Sequence, residues 1–363
     1  MTSGAARVAV LTPRFPPDPG GVEEYAAWVA RSLRDAGHDV TVVTTGRRPS
    51  REDHGGIPVI RLRSWVTLSN TPLNPLWWWQ VRRLLRRLDV DVVNAHAPVP
   101  GLADIAAFTA PVPVVLTYHA GSLVKGGHRV DTLLRAYERH VLPRVFARSR
   151  ELIAVSPISL AHATGRAHLV PPGVDAELFN PPPPGSPRER QVLYVGRVER
   201  TSRWKGLQVL VDALPRLREL VPDVRLEVVG DGDDVEALQK QAADRGVGDI
   251  VDWRGRIDHD RLPQHYRRAG VTVLPSLTEA ESFGMALAEA IACGCPVVGS
   301  AIGGIPFVVR DGEDGRLVPP GDPEALARAL ADVLTGDVRP GPTRWDWHQQ
   351  EETTVRVIQE AAR

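Results

Sequence analysis

Two glutamates, Glu281 and Glu289, lie in the stretch PSLTEAESFGMALAEAIACGCPVVGS, residues 275–300. The stretch reads as the end of a strand, an acidic loop, a short helix, a glycine stop and a second strand. Ser282 is a suitable N-cap for the helix, and Gly294 is a suitable stop. Glu289 is then about two helical turns, roughly 12 Å, beyond Glu281.

The start of this helix predicts an anion site. The N–H groups of Phe283, Gly284 and Met285 would point away from the sheet, and a helix N-terminus attracts phosphate above all. Because Gly284 has no side chain, a ligand can approach its backbone closely. Carboxylates suit hydroxyl groups better than anions, so Glu281 and Glu289 would hold polyols on either side of a diphosphate. That ligand is a nucleotide sugar.

Composition sets broad limits on the function. The 363 residues suffice for two domains, and Lys+Arg and Asp+Glu are equal at 44 each, which gives no general attraction to nucleic acid. Cys293 and Cys295 are spaced for neither a disulfide nor a zinc site and are expected to be buried and unreactive. The chain enters a strand without a signal-peptide pattern, and no apolar run reaches the length of a membrane span, so a cytosolic location is the default.

Valine-rich strands alternate with helices in both halves, which indicates an α/β fold with parallel sheets covered on both faces. Strands are expected at residues 7–12, 39–45, 90–95, 112–118, 191–196, 225–230, 249–254 and 271–275, and helices at 22–36, 206–220 and 345–363. A proline-rich segment, residues 170–190, separates the halves. The predicted domains are residues 1–175 and 176–342, both doubly wound and facing a common cleft.

Eight motifs follow one another along nearly the whole chain. They are GGVEE (20–24), YHA (118–120), PPGVDAELFNP (171–181), VGR and KG (195–206), VVGDG (228–232), WRGRI (253–257), the two-glutamate motif, and GGIPFVVRDGEDGRLVPPGD (303–322). This ordered set resembles the retaining glycosyltransferases of family GT4, which have two Rossmann-like domains in the GT-B arrangement. The resemblance also implies that the last helix, within residues 343–363, packs back on the first domain.

The resemblance implies roles in the donor site. Arg197 and Lys205 would stabilise the charge on the departing diphosphate without a metal ion. Extra residues before Lys205 leave open whether Lys205 or Arg203 reaches the phosphate. Glu281 would contact the sugar hydroxyls and Glu289 the ribose hydroxyls, with the helix start from Ser282 to Met285 on the phosphates.

The remaining candidate residues have weaker support. Arg256 and Ile257 fall where the family packs the nucleobase. Gly20 and Gly21 would close over the donor phosphates through their backbone, or form an ordinary turn.

Two histidines at strand ends are candidates in the first domain. His119 resembles the family's histidine near the transferred sugar, where it would take part in proton transfer or serve structure. His96 is a second candidate.

Acceptor contacts are expected in the first domain. Residues 73–88, LNPLWWWQVRRLLRRL, predict a helix whose apolar face consists of Trp77, Val81, Leu84, Leu85 and Leu88. The helix would lie on an anionic membrane surface, or pack on the sheet with solvated arginines. The glycine-rich loop at residues 121–131 would close over the acceptor or simply be mobile.

The sequence therefore predicts a retaining glycosyltransferase that needs no cofactor and no metal. It would move a hexose from a UDP-sugar or GDP-mannose to an acceptor hydroxyl of a lipid-linked, envelope or secondary-metabolite glycan, in the cytoplasm or at the inner membrane surface. The alternatives are a nucleotide-sugar epimerase and a nonenzymatic nucleotide-sugar binder on the same fold. A Rossmann oxidoreductase lacks support, because neither first strand leads into G-x-G-x-x-G.

Overall fold

In a computed structural model, the structure describes residues 5–18, 20–68, 71–124 and 128–363. The chain forms two compact units. Unit 1 consists of Met1–Pro172 and His348–Arg363, and unit 2 of Gly173–Trp347. The division predicted from the proline-rich segment places the boundary at residue 175, three residues beyond the structural one.

Unit 1 is built on strands that alternate with helices. Its strands are β1 (Arg7–Leu11), β2 (Asp39–Gly46), β3 (Ser50–His54), β4 (Ile57–Arg63), β5 (Val66–Leu68), β6 (Thr71–Leu73), β7 (Val92–Ala97), β8 (Val114–Tyr118), β9 (Glu151–Ala154) and β10 (Ala167–Leu169). Its helices are α1 (Gly21–Asp35), α2 (Trp77–Leu88), α3 (Leu102–Thr109), α4 (His128–His140) and α5 (Leu142–Arg148).

Eight of these strands form one sheet in the order β10-β9-β8-β7-β1-β2-β4-β3. All pairs are parallel except β3 with β4, and β5 and β6 form a separate antiparallel hairpin. The strand order reverses direction between β1 and β7, so the loops after these two strands open a crevice at their carboxyl ends. Helices α2, α3 and α5 bury apolar residues against one face of the sheet.

Unit 2 repeats the α/β pattern. Its strands are β11 (Gln191–Val195), β12 (Arg225–Val229), β13 (Val251–Gly255), β14 (Val271–Leu274), β15 (Val297–Ser300) and β16 (Gly315–Val318). Its helices are α6 (Leu207–Leu220), α7 (Val235–Asp244), α8 (Leu262–Arg268), α9 (Met285–Ala292), α10 (Ile305–Val308) and α11 (Pro323–Thr335). The last helix, α12 (Trp347–Ala361), follows, and residues 348–363 belong to unit 1.

The six strands of unit 2 are all parallel, in the order β13-β12-β11-β14-β15-β16. This is the strand order of a dinucleotide-binding fold, with its switch point between β11 and β14. Two apolar layers cover the sheet: α6 and α11 pack on one face, and α8, α9 and α10 on the other. A ligand site is therefore expected beyond Val195 and Leu274, where β11 and β14 end.

The prediction of two doubly wound α/β domains is confirmed. Several unpredicted strands are short or polar; β3, for example, is SREDH and is exposed along most of its length. Strand β4, IPVIRLR, is longer and partly buried and was also not predicted. Cys293 and Cys295 are free and buried as expected, and burial raises the pKa of Cys293 to about 12 and that of Cys295 to about 11. Within the described ranges, no helix has both the length and the apolar character needed to cross a bilayer.

Candidate functional site

The loops that follow β11 and β14 are tied together at the switch point of unit 2. The N–H of Leu277 donates to the carbonyl oxygen of Trp204 at 2.7 Å. Gly206 has a φ of +79° and packs so closely on Pro275 that a Cβ atom would collide with the Pro275 carbonyl. These contacts fix the direction in which the side chain of Lys205 leaves the backbone.

Lys205 points at the first of the two glutamates. Its Nζ atom lies 2.7 Å from Oε2 of Glu281, and both side chains are largely buried, at 17% and 10% exposed. The Oγ atom of Ser276 lies 3.4 Å from the same carboxylate oxygen. The charges of Lys205 and Glu281 therefore compensate each other, and the Oε1 atom of Glu281 keeps its capacity to accept a hydrogen bond.

Arg203 is held elsewhere. The inserted residues form a 3-10 helix, Arg200–Lys205, which turns Arg203 away from Glu281. Its guanidinium binds the buried carboxylate of Asp234 through two hydrogen bonds of 2.6 Å each. Of the two basic side chains left open by the sequence, Lys205 is the one beside Glu281.

Helix α9 begins later than the sequence predicts. It starts at Met285 with Gly284 as its N-cap, so the prediction that Ser282 caps the helix is wrong. The reason is the backbone of Gly284, whose φ of +95° is a left-handed conformation that glycine adopts without strain. In the part of the chain that the structure describes, the N–H groups of Phe283, Gly284, Met285 and Ala286 donate no hydrogen bond. The predicted row of donors is thus present, shifted by the later start.

Gly303 and Gly304 pack against the backbone that precedes these N–H groups. A Cβ atom on Gly303 would collide with the carbonyl oxygen of Glu281, and one on Gly304 with that of Ser282. The N–H of Gly304 donates to the Glu281 carbonyl at 2.8 Å. The side chain of Phe283 is buried against Trp345, with ring centroids 5.1 Å apart, so only its backbone is available to a ligand.

Glu289 lies on α9, and its side chain is buried. Its Oε2 atom accepts a hydrogen bond of 2.7 Å from the hydroxyl of Tyr266, and its Oε1 atom lies 3.0 Å from Nε2 of His259. The His259 ring also packs against Phe179, at 5.0 Å between centroids. The carboxylate is therefore oriented by two partners that no sequence pattern indicates.

Arg197 lies two residues beyond the end of β11. Its side chain is exposed and makes no ion pair with any other described residue. Burial raises the pKa of Tyr194, the charge of Glu281 raises it further, and Arg197 lowers it, so all three residues lie in the same neighbourhood. The hydroxyl of Tyr194 is buried without a partner among the described residues. An unpaired cation beside the Lys205–Glu281 pair suits a ligand that carries excess negative charge.

The two residues predicted to pack on the base follow β13. Arg256 is exposed, and Ile257 is partly buried against the apolar layer that contains α9. Their role in base packing stays a prediction.

In unit 1, His119 and His96 lie side by side at the ends of β8 and β7. His96 Nδ1 is 2.9 Å from His119 Nε2, and Tyr25 packs edge-on against both rings. Burial lowers the pKa of His119 to about 3, while burial and the neighbouring His119 lower the pKa of His96. Burial therefore favours the neutral form of both rings near pH 7, and a role of His119 in proton transfer stays a prediction.

Gly20 and Gly21 lie at the start of α1. Gly20 is the N-cap, with a φ of +155°, and Gly21 is the first helical residue. A Cβ atom on Gly20 would collide with the carboxylate of Glu23. Glycine at position 20 is thus explained by local packing, and phosphate contact from this turn stays a prediction.

The segment predicted to contact the acceptor contains both proposed kinds of surface. Helix α2 begins at Trp77, which is buried with Val81 and Leu85, while Trp78 and Trp79 are exposed. In the loop at 121–131, Lys125, Gly126 and Gly127 lie outside the described residues. The preceding turn is held by Glu138, which accepts hydrogen bonds from Ser122 Oγ and from the N–H of Leu123.

Several residues that orient the predicted ones were not themselves predicted. They are Ser276, Asp234, His259, Tyr266, Gly303 and Gly304. Ser276 and the glycine pair lie within motifs visible in the sequence, whereas Asp234, His259 and Tyr266 reach their partners through tertiary contacts. No group of three or more His, Cys, Asp or Glu side chains able to hold a metal ion occurs in the ranges described.

Comparison with known proteins matches nearly the whole chain. Residues 19–178 match the family model "Glycosyltransferase Family 4", and residues 179–352 match "Glycosyl transferases group 1". A phosphatidyl-myo-inositol mannosyltransferase of Mycolicibacterium smegmatis is 33% identical, over 97% of this chain and 93% of that protein. A GDP-mannose-dependent alpha-(1-6)-phosphatidylinositol monomannoside mannosyltransferase of the same organism is 31% identical, over 90% and 88%.

Solved structures share the fold over almost the full length. A sucrose-phosphate synthase from Thermosynechococcus elongatus aligns with a TM-score of 0.71 at 24% identity, covering 98% of this chain and 96% of that one. The Anabaena protein HepE, solved with UDP-glucose, aligns with a TM-score of 0.72 at 21% identity, covering 98% and 100%.

Proposed function

This chain belongs to glycosyltransferase family 4 and has the GT-B fold, and we propose that it transfers mannose from GDP-mannose to a hydroxyl group of a lipid-linked acceptor. The choice of donor is supported by the relatives, which are named as mannosyltransferases. The observation that carries the proposal is the contact between Lys205 and Glu281, beside the unbonded N–H groups at the start of α9.

This arrangement matches the two kinds of group in a nucleotide sugar, the phosphates and the hydroxyls. The N–H groups of Phe283, Gly284 and Met285, together with Arg197, would receive the phosphate oxygens. The acceptor capacity left on Glu281 would bind sugar hydroxyls, and Glu289 would bind those of the ribose. A diphosphate would then draw Lys205 into contact with both the carboxylate and the leaving group.

We propose that the protein stabilises the leaving group by fixed positive charge. Cleavage of the sugar–phosphate bond leaves negative charge on the nucleotide, and Arg197 and Lys205 would stabilise it in a partly dry site, where such effects are worth several kcal/mol. Because these two cations would take the place of a metal ion, we also propose that the reaction needs no metal. The acceptor hydroxyl would attack on the side of the leaving group, whose phosphate takes its proton, so the configuration at the sugar is retained.

The acceptor is proposed to be a polyol or glycan attached to a lipid. The relatives are named for phosphatidylinositol acceptors. We propose that the protein works in the cytoplasm, at the surface of the membrane that holds this acceptor.

Two measurements test the proposal: the release of the nucleotide and the stereochemistry of the product. The purified chain is incubated with GDP-mannose, UDP-glucose or ADP-glucose, with and without a phosphatidylinositol acceptor, and in the presence or absence of EDTA. The expected result is mannosylated lipid of retained configuration from GDP-mannose, unaffected by EDTA. Transfer from UDP-glucose alone would overturn the donor assignment, and an inverted product would overturn the proposed mechanism.

A further inference from the structure

Two histidines of unit 1 are brought together by the register of its sheet. His96 lies on β7 opposite Thr117 of β8, and the N–H of His119 continues the ladder by donating to the Ala97 carbonyl at 2.9 Å. His119 follows Thr117 by two residues, so the alternation of side chains along a strand places it on the face of the sheet that His96 occupies. The two imidazole rings therefore meet at the carboxyl ends of β7 and β8.

The two rings meet nitrogen to nitrogen. Nδ1 of His96 lies 2.9 Å from Nε2 of His119, the ring planes are inclined by 19°, and the centroids are 5.2 Å apart, which matches a head-on contact. Tyr25 of α1 packs edge-on against both rings, and its hydroxyl donates to the Val170 carbonyl at 3.2 Å. Packing and hydrogen bonding thus hold both rings in one orientation.

The hydrogen bond between the rings has two possible directions. Burial lowers the pKa of both histidines, so each neutral ring carries one proton. Either Nδ1–H of His96 donates to Nε2 of His119, or Nε2–H of His119 donates to Nδ1 of His96. The direction matters because it fixes which nitrogen of each ring bears the proton.

The outer nitrogen of His96 decides between the two directions. This Nε2 atom is enclosed and has no hydrogen-bond partner among the described residues. If His119 were the donor, Nε2 of His96 would carry an N–H group without an acceptor, and such buried N–H groups are rarer than buried acceptors without a donor. If His96 is the donor, its Nε2 atom is a bare lone pair and the unpaired N–H group is avoided.

The outer nitrogen of His119 is the one left for a ligand. Its Nδ1 atom forms no hydrogen bond with the described part of the chain, and the residue keeps 7% of its surface accessible. The inner nitrogen, Nε2, faces His96. The direction of the hydrogen bond within the pair therefore determines whether a ligand meets an N–H group or a lone pair on His119.

We propose that His96 is a positioning residue, which donates its Nδ1–H to Nε2 of His119 and so holds His119 in the form protonated at Nδ1. In this form His119 donates a hydrogen bond to an oxygen of the ligand and has no free lone pair with which to take a proton. The proton of the acceptor hydroxyl then goes to the departing phosphate. The identity of the ligand rests on the proposed function, whereas the direction of the hydrogen bond does not.

The direction is measured by NMR on the full chain labelled with ¹⁵N at histidine, without donor or acceptor. Long-range correlation of ring protons with ring nitrogens distinguishes protonated from bare nitrogens, and His119→Gln identifies the signals of His119. Near neutral pH the wild type should show a protonated Nδ1 and a bare Nε2 in His119. The opposite pattern would overturn the proposal. The predicted pattern in a chain that transfers no sugar would contradict the proposed function alone.

Two variants of His96 separate the hydrogen bond from packing. In His96→Asn the amide N–H takes the place of Nδ1–H, so His119 should stay protonated at Nδ1 and kcat/KM for transfer should stay within about threefold. In His96→Leu the space is filled without a donor, so the proton of His119 should move toward Nε2. The kcat/KM value should then fall about tenfold, which is the effect of losing one hydrogen bond.

His38→Leu is the matched control. His38 is a buried histidine at the amino ends of β1 and β2, where its Nδ1 atom accepts from the N–H of Ala6 at 3.1 Å. Its loss should lower the melting temperature and leave the His119 signals unchanged. Unchanged His119 signals in a folded His96→Leu protein would overturn the proposal, as would equal rate losses in the Asn and Leu variants. If His96→Leu does not fold, the wild-type and His96→Asn spectra still decide the direction.

Discussion

The Nζ atom of Lys205 lies 2.7 Å from Oε2 of Glu281. The two residues lie on the loops after β11 and β14, which the hydrogen bond from the Leu277 N–H to the Trp204 carbonyl holds together. Neither side chain is more than 17% exposed, so the pair is shielded from solvent more than a surface ion pair. One carboxylate oxygen stays available, and the exposed Arg197 brings a further positive charge beside Tyr194 in the same neighbourhood. The pair thus combines a hydroxyl acceptor with a cation that a leaving phosphate can use.

Replacing Lys205 by Ala should lower kcat/KM for transfer by about 10²–10³-fold, because in the proposed mechanism Lys205 stabilises the charge that develops on the leaving group. Arg203→Gln should lower the melting temperature, since it leaves the buried carboxylate of Asp234 with a weaker partner, yet keep kcat/KM within about threefold. Lys240→Ala, which removes a lysine paired with Asp244 on an exposed face, is the control for loss of a positive charge. A large rate loss in Arg203→Gln with little in Lys205→Ala would reverse the assignment.

The fold was predictable where apolar patterning was continuous. Strands β1, β7 and β8 are buried along nearly their whole length, and their valine-rich sequences have no other plausible structure. Strand β3 is an exposed edge strand that carries no apolar pattern, so pairing with β4 alone creates it. The β5–β6 hairpin is equally short. These two elements are therefore made by tertiary pairing and are not revealed by an apolar pattern.

The site was predictable in its residues but not in its contacts. Lys205 and Arg203 are separated by one residue, and only the 3-10 helix that contains both sends one to Glu281 and the other to Asp234. Ser282 has the chemistry of a cap, but the left-handed backbone of Gly284 ends the preceding loop instead. Such choices depend on packing against neighbouring loops, which a local pattern does not contain.

Glu289 offers a prediction about donor affinity. Tyr266→Phe removes the hydroxyl that donates to its Oε2 atom at 2.7 Å, so the carboxylate loses one of two fixed partners. KM for the nucleotide sugar should rise roughly tenfold, with a smaller change in kcat, because the proposed ligand of Glu289 is the ribose, which is remote from the bond that breaks. Steady-state kinetics at saturating acceptor measure both constants.

His259 should act on the same carboxylate from its other side. His259→Ala should raise KM for the donor, and His259→Gln, which keeps a donor group, should restore part of the affinity. His168→Gln serves as the control, because His168 forms a comparable contact with Glu151, at 3.2 Å, on the surface of unit 1. A fall in kcat with unchanged KM would contradict a role in orienting Glu289.

The buried histidine pair should make unit 1 sensitive to acid. The pKa of His119 is about 3 in the folded state, against about 6.5 in an unfolded chain. Below about pH 6.5 the unfolded state therefore binds a proton that the folded state does not, so the free energy of unfolding falls as pH falls toward 3. Above about pH 6.5 this contribution to stability is complete.

Urea unfolding between about pH 7 and pH 5 measures the effect, whose upper limit is about 1.4 kcal/mol per pH unit for each such histidine. His119→Gln should flatten this dependence. His140→Gln removes an exposed histidine of α4 and should leave it unchanged. Identical pH profiles for wild type and His119→Gln would mean that His119 does not carry the effect.

A fully buried carboxylate in unit 2 gives the last prediction. Glu227 on β12 lies 2.7 Å from His265 Nδ1, 2.9 Å from a terminal nitrogen of Arg268 and 3.4 Å from Nε of Arg254. Glu227→Leu removes the negative charge that these groups share, and breaking a buried pair in this way costs about 3–5 kcal/mol. Because Arg254 and Arg268 are 45% and 41% exposed and can turn toward water, the cost should lie at about 3 kcal/mol.

Thermal and urea unfolding measure this loss. Glu189→Leu is the control, since Glu189 is an exposed partner of Arg268 at 3.5 Å and its removal should cost less than about 1 kcal/mol. KM for the donor should stay close to the wild-type value in both variants, because Glu227 makes no contact with Lys205, Glu281 or Glu289. A Glu227→Leu protein as stable as the wild type would mean that Arg254, Arg268 and His265 interact with water as favourably as with the buried carboxylate.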